Sequence, residues 1–239
     1  MAAITSEQTV GELVAEKPGR ARIFEKLGID YCCGGKKSLE QACRDQGLDV
    51  NTALKMLDAT EEIDADAAER DWTRASLTEL ADHIEQTHHV YLRDELPRLG
   101  QMVRKVAAVH HANHPWLLEL DTLFAGFAAE MEAHLLQEEQ ILFPIVRAME
   151  QPEADQDMAG ASLSGPVESN AHEHESAGQA LARMRQLSSD FTPPADACAT
   201  FQAMLDGLHQ LEKDTHQHVH KENNILFARA LEMEKQQSV

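Results

Sequence analysis

From residue 76 onwards, apolar residues recur every three or four positions, which is the spacing of the buried face of an amphipathic helix. The pattern covers residues 76–109, 115–150, 167–188 and 195–234, separated by stretches that contain proline, glycine or histidine. Nowhere does the sequence show the apolar–polar alternation that is typical of a β-strand. Four long helices with shorter connections predict an all-α protein with a four-helix up-down bundle.

The first 60 residues show a different pattern, which predicts several short helices. Thr9 followed by Glu12, and Ser38 followed by Gln41, have the spacing of a helix capping box. The apolar positions predicted to form a small core are Val10, Leu13, Val14, Ile23, Phe24, Leu27 and Ile29. We therefore expect a small helical domain over residues 1–60, an acidic linker over 61–75 and the bundle over 76–239.

Two of the four apolar stripes are interrupted by polar residues at positions that should be buried. His134 and Glu138 interrupt the second stripe, and His218 and Glu222 interrupt the fourth. Residues four apart lie on the same face of a helix. One such pair is usually found on the surface, but two pairs that replace core residues favour a metal site. The second stripe otherwise consists of Leu120, Phe124, Phe127, Met131, Ile141, Leu142 and Ile145.

The other two helical segments each offer a histidine that faces inward. His174 lies seven residues after Val167 and seven before Leu181, on the buried face of the third segment. In the first segment both His88 and His89 are close to the stripe, and periodicity alone does not separate them.

Burying two carboxylates in an apolar bundle is costly unless a cation compensates their charge. Four imidazoles and two carboxylates would suit iron, manganese or zinc. If both glutamates and one further oxygen bridge two ions, roughly two of about twelve octahedral positions stay open for small ligands. The remaining histidines, His216 and His220 among them, are predicted to face away from this site into solvent.

Composition narrows the set of partners. The chain has 21 Lys and Arg against 41 Asp and Glu, a formal net charge of −20, which repels nucleic acids and anionic lipids. No run approaches the ~20 apolar residues of a membrane span, and no secretory signal is visible. We therefore expect a cytoplasmic protein. Two of its four cysteines, Cys43 and Cys198, fall in helical patterns and are predicted to lie in the core.

The other two cysteines, Cys32 and Cys33, are adjacent and allow two interpretations. A helix beginning after Ser38, together with Lys36 and Lys37, would lower the thiol pKa and make the pair reactive. The two glycines that follow would then leave the thiols accessible. Alternatively, the segment is a tight turn in which small residues pack and the cysteines are half-buried. The pattern leaves both interpretations open.

Several of these stretches are similar to a known family. HLLQEEQILFP (134–144), HEHESAG (172–178), TPPADAC (192–198) and HVHKENNILF (218–227) resemble the hemerythrin-like di-iron proteins of the RIC (repair of iron centres) family, of the ScdA/YtfE type. GIDYCCGGKKSLEQA (28–42) resembles the short N-terminal domain of that family. The resemblance extends over nearly the whole chain.

The resemblance implies an oxo- and carboxylate-bridged pair of iron ions, and it selects His89 over His88. It also implies functional roles for Cys32 and Cys33, and for Glu173 near the open face of the metals. The implied ligands are His89, His134, Glu138, His174, His218 and Glu222.

The function implied by the resemblance is repair of iron–sulfur clusters damaged by nitrosative or oxidative stress, by iron donation, nitric oxide reduction or both. The expected partners are nitric oxide or another small oxidant, damaged iron–sulfur proteins and a second copy in a homodimer. One alternative is a hemerythrin-like sensor or carrier that binds oxygen or nitric oxide without turnover. Another is a bundle that holds zinc for structural reasons only.

Overall fold

The computed structural model describes residues 4–60, 70–151 and 161–237. The chain divides into two compact units: unit 1 comprises Met1–Leu80 and His216–Val239, and unit 2 comprises Ala81–Thr215. Most of the predicted linker over 61–75 lies outside the described residues, as does most of the interruption between the second and third helical segments.

Short helices form the N-terminal part of unit 1. They are α1 (Val10–Glu16), a 3-10 turn (Pro18–Arg20), α2 (Ala21–Leu27), α3 (Leu39–Asp45) and α4 (Val50–Thr60). The capping box of α1 is formed, since Thr9 Oγ1 accepts a hydrogen bond from Glu12 N and Thr9 N donates to Glu12 Oε2 at 3.0 Å. The predicted small core is buried, except that Leu27 is half-buried.

Long helices form the rest of the described chain. They are α5 (Leu77–Ile84), α6 (Val90–His110), α7 (Trp116–Gln137), α8 (Phe143–Glu150), α9 (Ser164–Leu187), α10 (Ala199–Lys221) and α11 (Phe227–Gln237). In unit 2, α6, α7, α9 and α10 surround one apolar core, which confirms the predicted all-α fold with a helical bundle. The core includes Leu92, Leu99, Phe124, Met131, Leu181, Phe201 and Leu208. In the described ranges, no helix has both the length and the apolar character needed to cross a lipid bilayer.

In the part of the chain that the structure describes, three segments of π-helix lie between these α-helices. They are π1 (Glu85–His89), π2 (Glu138–Leu142) and π3 (Glu222–Leu226). A π-helical turn contains an extra residue, which rotates the following side chains by about 100° relative to a regular α-helix. Each segment begins or ends at a predicted metal ligand: π1 ends at His89, π2 begins at Glu138 and π3 begins at Glu222.

The π2 segment explains why one core prediction is wrong. A regular α-helical period places Ile141 in the core, but this side chain is 45% exposed. Leu142 and Ile145 are buried as predicted, and Phe143 and Val146 are buried beside them, because the extra residue shifts the helical register after Glu138.

Two further predictions of burial are wrong. Cys198 is exposed, because it lies in an irregular segment just before α10 begins. His220 is buried rather than solvated, because Tyr31 of the N-terminal part of unit 1 covers this face of α10, with ring centroids 5.6 Å apart. Burial lowers the pKa of His220 to about 4, so its ring is neutral at pH 7. Cys43 is buried as predicted.

We expect Leu208→Ala to lower the free energy of unfolding by about 2–5 kcal/mol, because it leaves a cavity in the core of unit 2. Leu118→Ala is the matched control, since Leu118 is 53% exposed, and it should change stability by less than about 0.5 kcal/mol. Urea unfolding of the two metal-free variants measures both values. Equal losses would contradict the assignment of Leu208 to the core.

Candidate metal centre

Within unit 2, three histidines surround one buried carboxylate. Glu138 is 0% exposed, and its two oxygens lie 3.3 Å from His89 Nε2 and 3.3 Å from His134 Nε2. His174 Nε2 lies 3.8 Å from Glu138 Oε1 and 3.1 Å from His134 Nε2. Residues from π1, α7, π2 and α9 therefore bring their donor atoms to one point in the core.

Two further carboxylates hold the imidazole rings from behind. His89 Nδ1 lies 2.7 Å from Glu139 Oε1, and His134 Nδ1 lies 2.8 Å from Glu173 Oε2. A neutral ring that donates from Nδ1 keeps its Nε2 lone pair for a metal. Burial alone would raise the pKa of Glu139, but hydrogen bonds from Arg93 and His89 outweigh it and lower this pKa overall. Glu139 therefore stays ionised and can accept the proton of His89 Nδ1.

Asn170 is a site residue that the sequence pattern did not single out. It is 0% exposed, and its Nδ2 donates a hydrogen bond to Glu138 Oε1 at 2.8 Å. Asn170 lies four residues before His174 on α9, so the spacing that identified the His–Glu pairs could have found it. Glu139 was missed for another reason, since nothing in the pattern shows that it reaches His89 on a different helix.

His88 lies apart from this cluster. It is as buried as His89, but its Nδ1 lies 2.9 Å from Asp214 Oδ1 on α10. The π1 segment turns two successive histidines inward, which is why a regular helical period could not separate them. The geometry places His89, not His88, beside Glu138.

In unit 1, His218 and Glu222 form a second pair of the same kind. Both are 0% exposed, and His218 Nε2 lies 2.8 Å from Glu222 Oε1. In each pair the histidine belongs to the last turn of an α-helix, and the glutamate begins a π segment. The described residues thus contain two buried His–Glu pairs with the same local backbone.

The donor set is suited to a transition-metal ion. The ligand atoms of His134, Glu138 and His174 all lie within 4.8 Å of one another, as do those of His89 and Glu138, so each group can share one ion. Imidazole nitrogen with carboxylate oxygen suits iron, manganese or zinc, and a cation compensates the buried negative charge of the glutamate.

A groove in unit 2 leads from the surface to His134. It has a volume of about 410 Å³ and lies between α7 and α9. Its polar walls include Glu130, Gln137, His172 and Glu173. Glu173, predicted to have a functional role, therefore lines the groove and also holds the ring of His134. The other walls are largely apolar.

Both parts of the chain are similar in sequence to known proteins. The family model described as "Hemerythrin HHE cation binding domain" matches residues 80–230, and the ScdA_N model, described as "Domain of Unknown function (DUF542)", matches residues 6–61. An iron-sulfur cluster repair protein YtfE from Dickeya chrysanthemi is 34% identical over 225 residues, which cover 94% of this chain and 97% of the relative. The chain belongs to the YtfE/ScdA family.

Two other relatives show how widely the family occurs. A probable iron-sulfur cluster repair protein from Haemophilus influenzae is 34% identical over 95% of this chain and 97% of its own length. An iron-sulfur cluster repair protein ScdA from Staphylococcus haemolyticus is 34% identical over 94% of this chain and 98% of its own length. The YtfE/ScdA family was the one identified from the sequence motifs, so that prediction is confirmed.

The N-terminal cysteines lie in a loop organised by Asp30. One carboxylate oxygen of Asp30 accepts hydrogen bonds from Cys32 N at 3.0 Å and Cys33 N at 2.9 Å, and the other accepts from Gly34 N at 2.9 Å. The Cys32 thiol also donates to Asp30 at 3.2 Å. Cys32 is 5% exposed and Cys33 is half-buried. This compact turn agrees with the second of the two interpretations of the pair.

The first interpretation, in which the thiol pKa is lowered, does not hold for Cys32. Its pKa is raised well above the usual range by the hydrogen bond with Cys33, by burial and by the negative charge of Cys33 and Asp30. Lys37, which was expected to stabilise a thiolate, instead forms an ion pair with Asp45 at 2.7 Å. The first interpretation rests on the positive charges of Lys36 and Lys37 and leaves out the negative charge of Asp30.

We expect the alkylation rate of Cys32 by iodoacetamide to be low at pH 7 and to rise only as the pH passes 9, because the thiolate is the reacting form. Asp30→Asn should move this profile to lower pH, since it removes a nearby negative charge. Asp49→Asn is the matched control, because Asp49 caps Thr52 in the same way but in another loop. Peptide mass spectrometry measures the rate at each pH. A wild-type midpoint below about 8.5, the value of a free cysteine, would contradict the raised pKa.

Proposed function

We propose that this protein repairs damaged iron–sulfur clusters and that it binds a pair of iron ions for this purpose. The observation that carries the proposal is the presence of two buried His–Glu pairs, in each of which the glutamate begins a π segment. The proposed ligands are His89, His134, Glu138, His174, His218 and Glu222. The relatives of this chain are named as iron-sulfur cluster repair proteins, which supports the same function.

Bound iron would supply positions at which a small molecule can be coordinated, and it would also be a store of releasable metal. The four histidines and two glutamates would hold the ions, and the coordination positions that they leave open could bind a small ligand. The protein's own groups hold the rings through Glu139 and Glu173, orient Glu138 through Asn170 and exclude bulk water from the glutamates.

The groove between α7 and α9 favours iron donation as the reaction. Glu130, His172 and Glu173 line this groove, and carboxylates and imidazole attract a divalent cation. A route for a neutral diatomic gas would not need these charged walls. We therefore propose that iron leaves past Glu173 to an iron–sulfur protein that has lost metal. Nitric oxide reduction at the open positions is the alternative reaction.

We expect Glu138→Leu and Glu222→Leu each to reduce iron from about two ions per protein to well below one, because each removes a bridging charge. Glu132→Leu, on an exposed position of α7, is the matched control and should retain its iron. Iron content after anaerobic purification, together with Mössbauer spectra, measures the outcome. Full iron content in both core variants would remove these residues from the ligand set.

We expect iron-loaded protein to restore the activity of an iron-depleted [4Fe–4S] enzyme. Glu130→Gln should slow this transfer several-fold without changing the iron content, because Glu130 lines the groove without being a proposed ligand. Glu132→Gln is the control outside the groove.

The same preparation distinguishes the alternative functions when reduced protein is mixed with nitric oxide. Consumption of many equivalents without iron transfer would identify nitric oxide reduction as the reaction. A single binding event, with neither turnover nor transfer, would identify a sensor or carrier. Either result would contradict iron donation.

A further inference from the structure

Asn224 joins the cysteine loop to the π segment that begins at Glu222. Its Nδ2 donates hydrogen bonds to the carbonyl oxygen of Cys32 at 3.0 Å and to that of Tyr31 at 3.3 Å. Asn224 belongs to π3, two residues after Glu222. One side chain therefore links the carbonyl groups on either side of Cys32 to the helix turn that carries a proposed metal ligand.

Two glycines provide the space that Asn224 occupies. A Cβ atom on Gly11 would lie 2.7 Å from Asn224 Oδ1, and one on Gly35 would overlap the same side chain. Gly11 N also donates a hydrogen bond to Gly35 O at 2.9 Å, which holds the beginning of α1 against the loop. Neither glycine has a positive φ. These glycines are therefore needed for close approach and not for an unusual backbone conformation.

The conformation of π3 determines the positions of both Glu222 and Asn224. The two side chains lie within one turn, and a change from π-helix to α-helix would rotate the residues after the turn by about 100°. Such a rotation would withdraw Asn224 from the carbonyl groups of the cysteine loop. A cation on Glu222 stabilises the conformation in which this carboxylate is buried, since an uncompensated buried charge is costly.

We propose that Asn224 is a positioning residue that couples metal binding at Glu222 to closure of the cysteine loop over Cys32. Bound metal holds π3, Asn224 then holds the loop, and the thiol of Cys32 stays buried. Loss of metal relaxes π3, releases the loop and exposes the thiol. Because coupling between two sites is reciprocal, opening of the loop also weakens metal binding. The coupling rests on the proposed metal site, whereas closure of the loop by Asn224 does not.

The test is the alkylation rate of Cys32 in the full-length protein, with and without iron, located by peptide mass spectrometry at a single pH. In the wild type, iron loading should slow the reaction. Asn224→Ala should accelerate it roughly tenfold in iron-loaded protein, because two hydrogen bonds that hold the loop closed are lost. Asn224→Ala should also remove most of the difference in the Cys32 alkylation rate between iron-loaded and iron-free protein. The same variant should lose iron to a chelator faster than the wild type does.

Three controls separate release of the loop from general damage. Cys43 is 1% exposed in the core of the same N-terminal part, so its alkylation rate reports unfolding and should not change. Asn51→Ala removes an identical side chain at an exposed position of α4, in the same N-terminal part, and should behave like the wild type. Gly35→Ala disturbs the same contact from the side of the loop, because its Cβ atom would overlap the Asn224 side chain. It should reproduce the effect of Asn224→Ala.

An unchanged Cys32 rate in both Asn224→Ala and Gly35→Ala would overturn closure of the loop by Asn224. Equal acceleration of Cys43 would also overturn it, because the variants would then be unfolding the N-terminal part. A wild-type rate that does not depend on iron, in protein whose iron content is confirmed, would overturn the coupling. Protein that binds no iron would refute the proposed function and the coupling together, and the iron-free comparison would still decide whether Asn224 closes the loop.

Discussion

Two carboxylates that are completely removed from water, Glu138 and Glu222, impose the main constraint on this structure. A buried negative charge requires a compensating positive charge or strong hydrogen bonds, and the surroundings of Glu138 meet this requirement. Three imidazoles present Nε2 to it, and Asn170 donates a hydrogen bond to it. The carboxylates of Glu139 and Glu173 then hold two of those rings from outside. The side chains therefore surround Glu138 in successive layers, and each layer determines the orientation of the side chains in the layer inside it.

The same constraint accounts for the irregular helices. A regular α-helix provides more uniform hydrogen bonding than a π turn, so π segments are rare and persist mostly where function requires them. Here all three described π segments begin or end at a proposed ligand. The extra residue in π2 lets Glu138 face the core while Leu142 and Phe143 are still buried beyond it. Deviations from helical regularity are thus concentrated at the positions where metal ligands replace apolar side chains.

The sequence predicted those features that depend on local periodicity. The breaks in the apolar stripes singled out His134, Glu138, His218 and Glu222, and the capping box located the start of α1. The features that the sequence could not predict depend on contacts between distant parts of the chain. The burial of His220 requires Tyr31, and the orientation of His89 requires Glu139 on another helix. The prediction for Ile141 is wrong, and periodicity left the choice between His88 and His89 open, because the pattern assumed a constant number of residues per turn.

The π segments also affect which changes of length the chain can tolerate during evolution. Surface loops accept insertions and deletions readily, because the elements on either side keep their orientation. A single-residue deletion within π2 would close a regular helical turn and rotate the whole of α8 about its axis, so that Ile145 and Val146 would turn away from the interior. A substitution at an exposed position of the same turn would have no such effect. Related chains should therefore vary in residue type across these turns while conserving the number of residues between the ligand and the helix that follows.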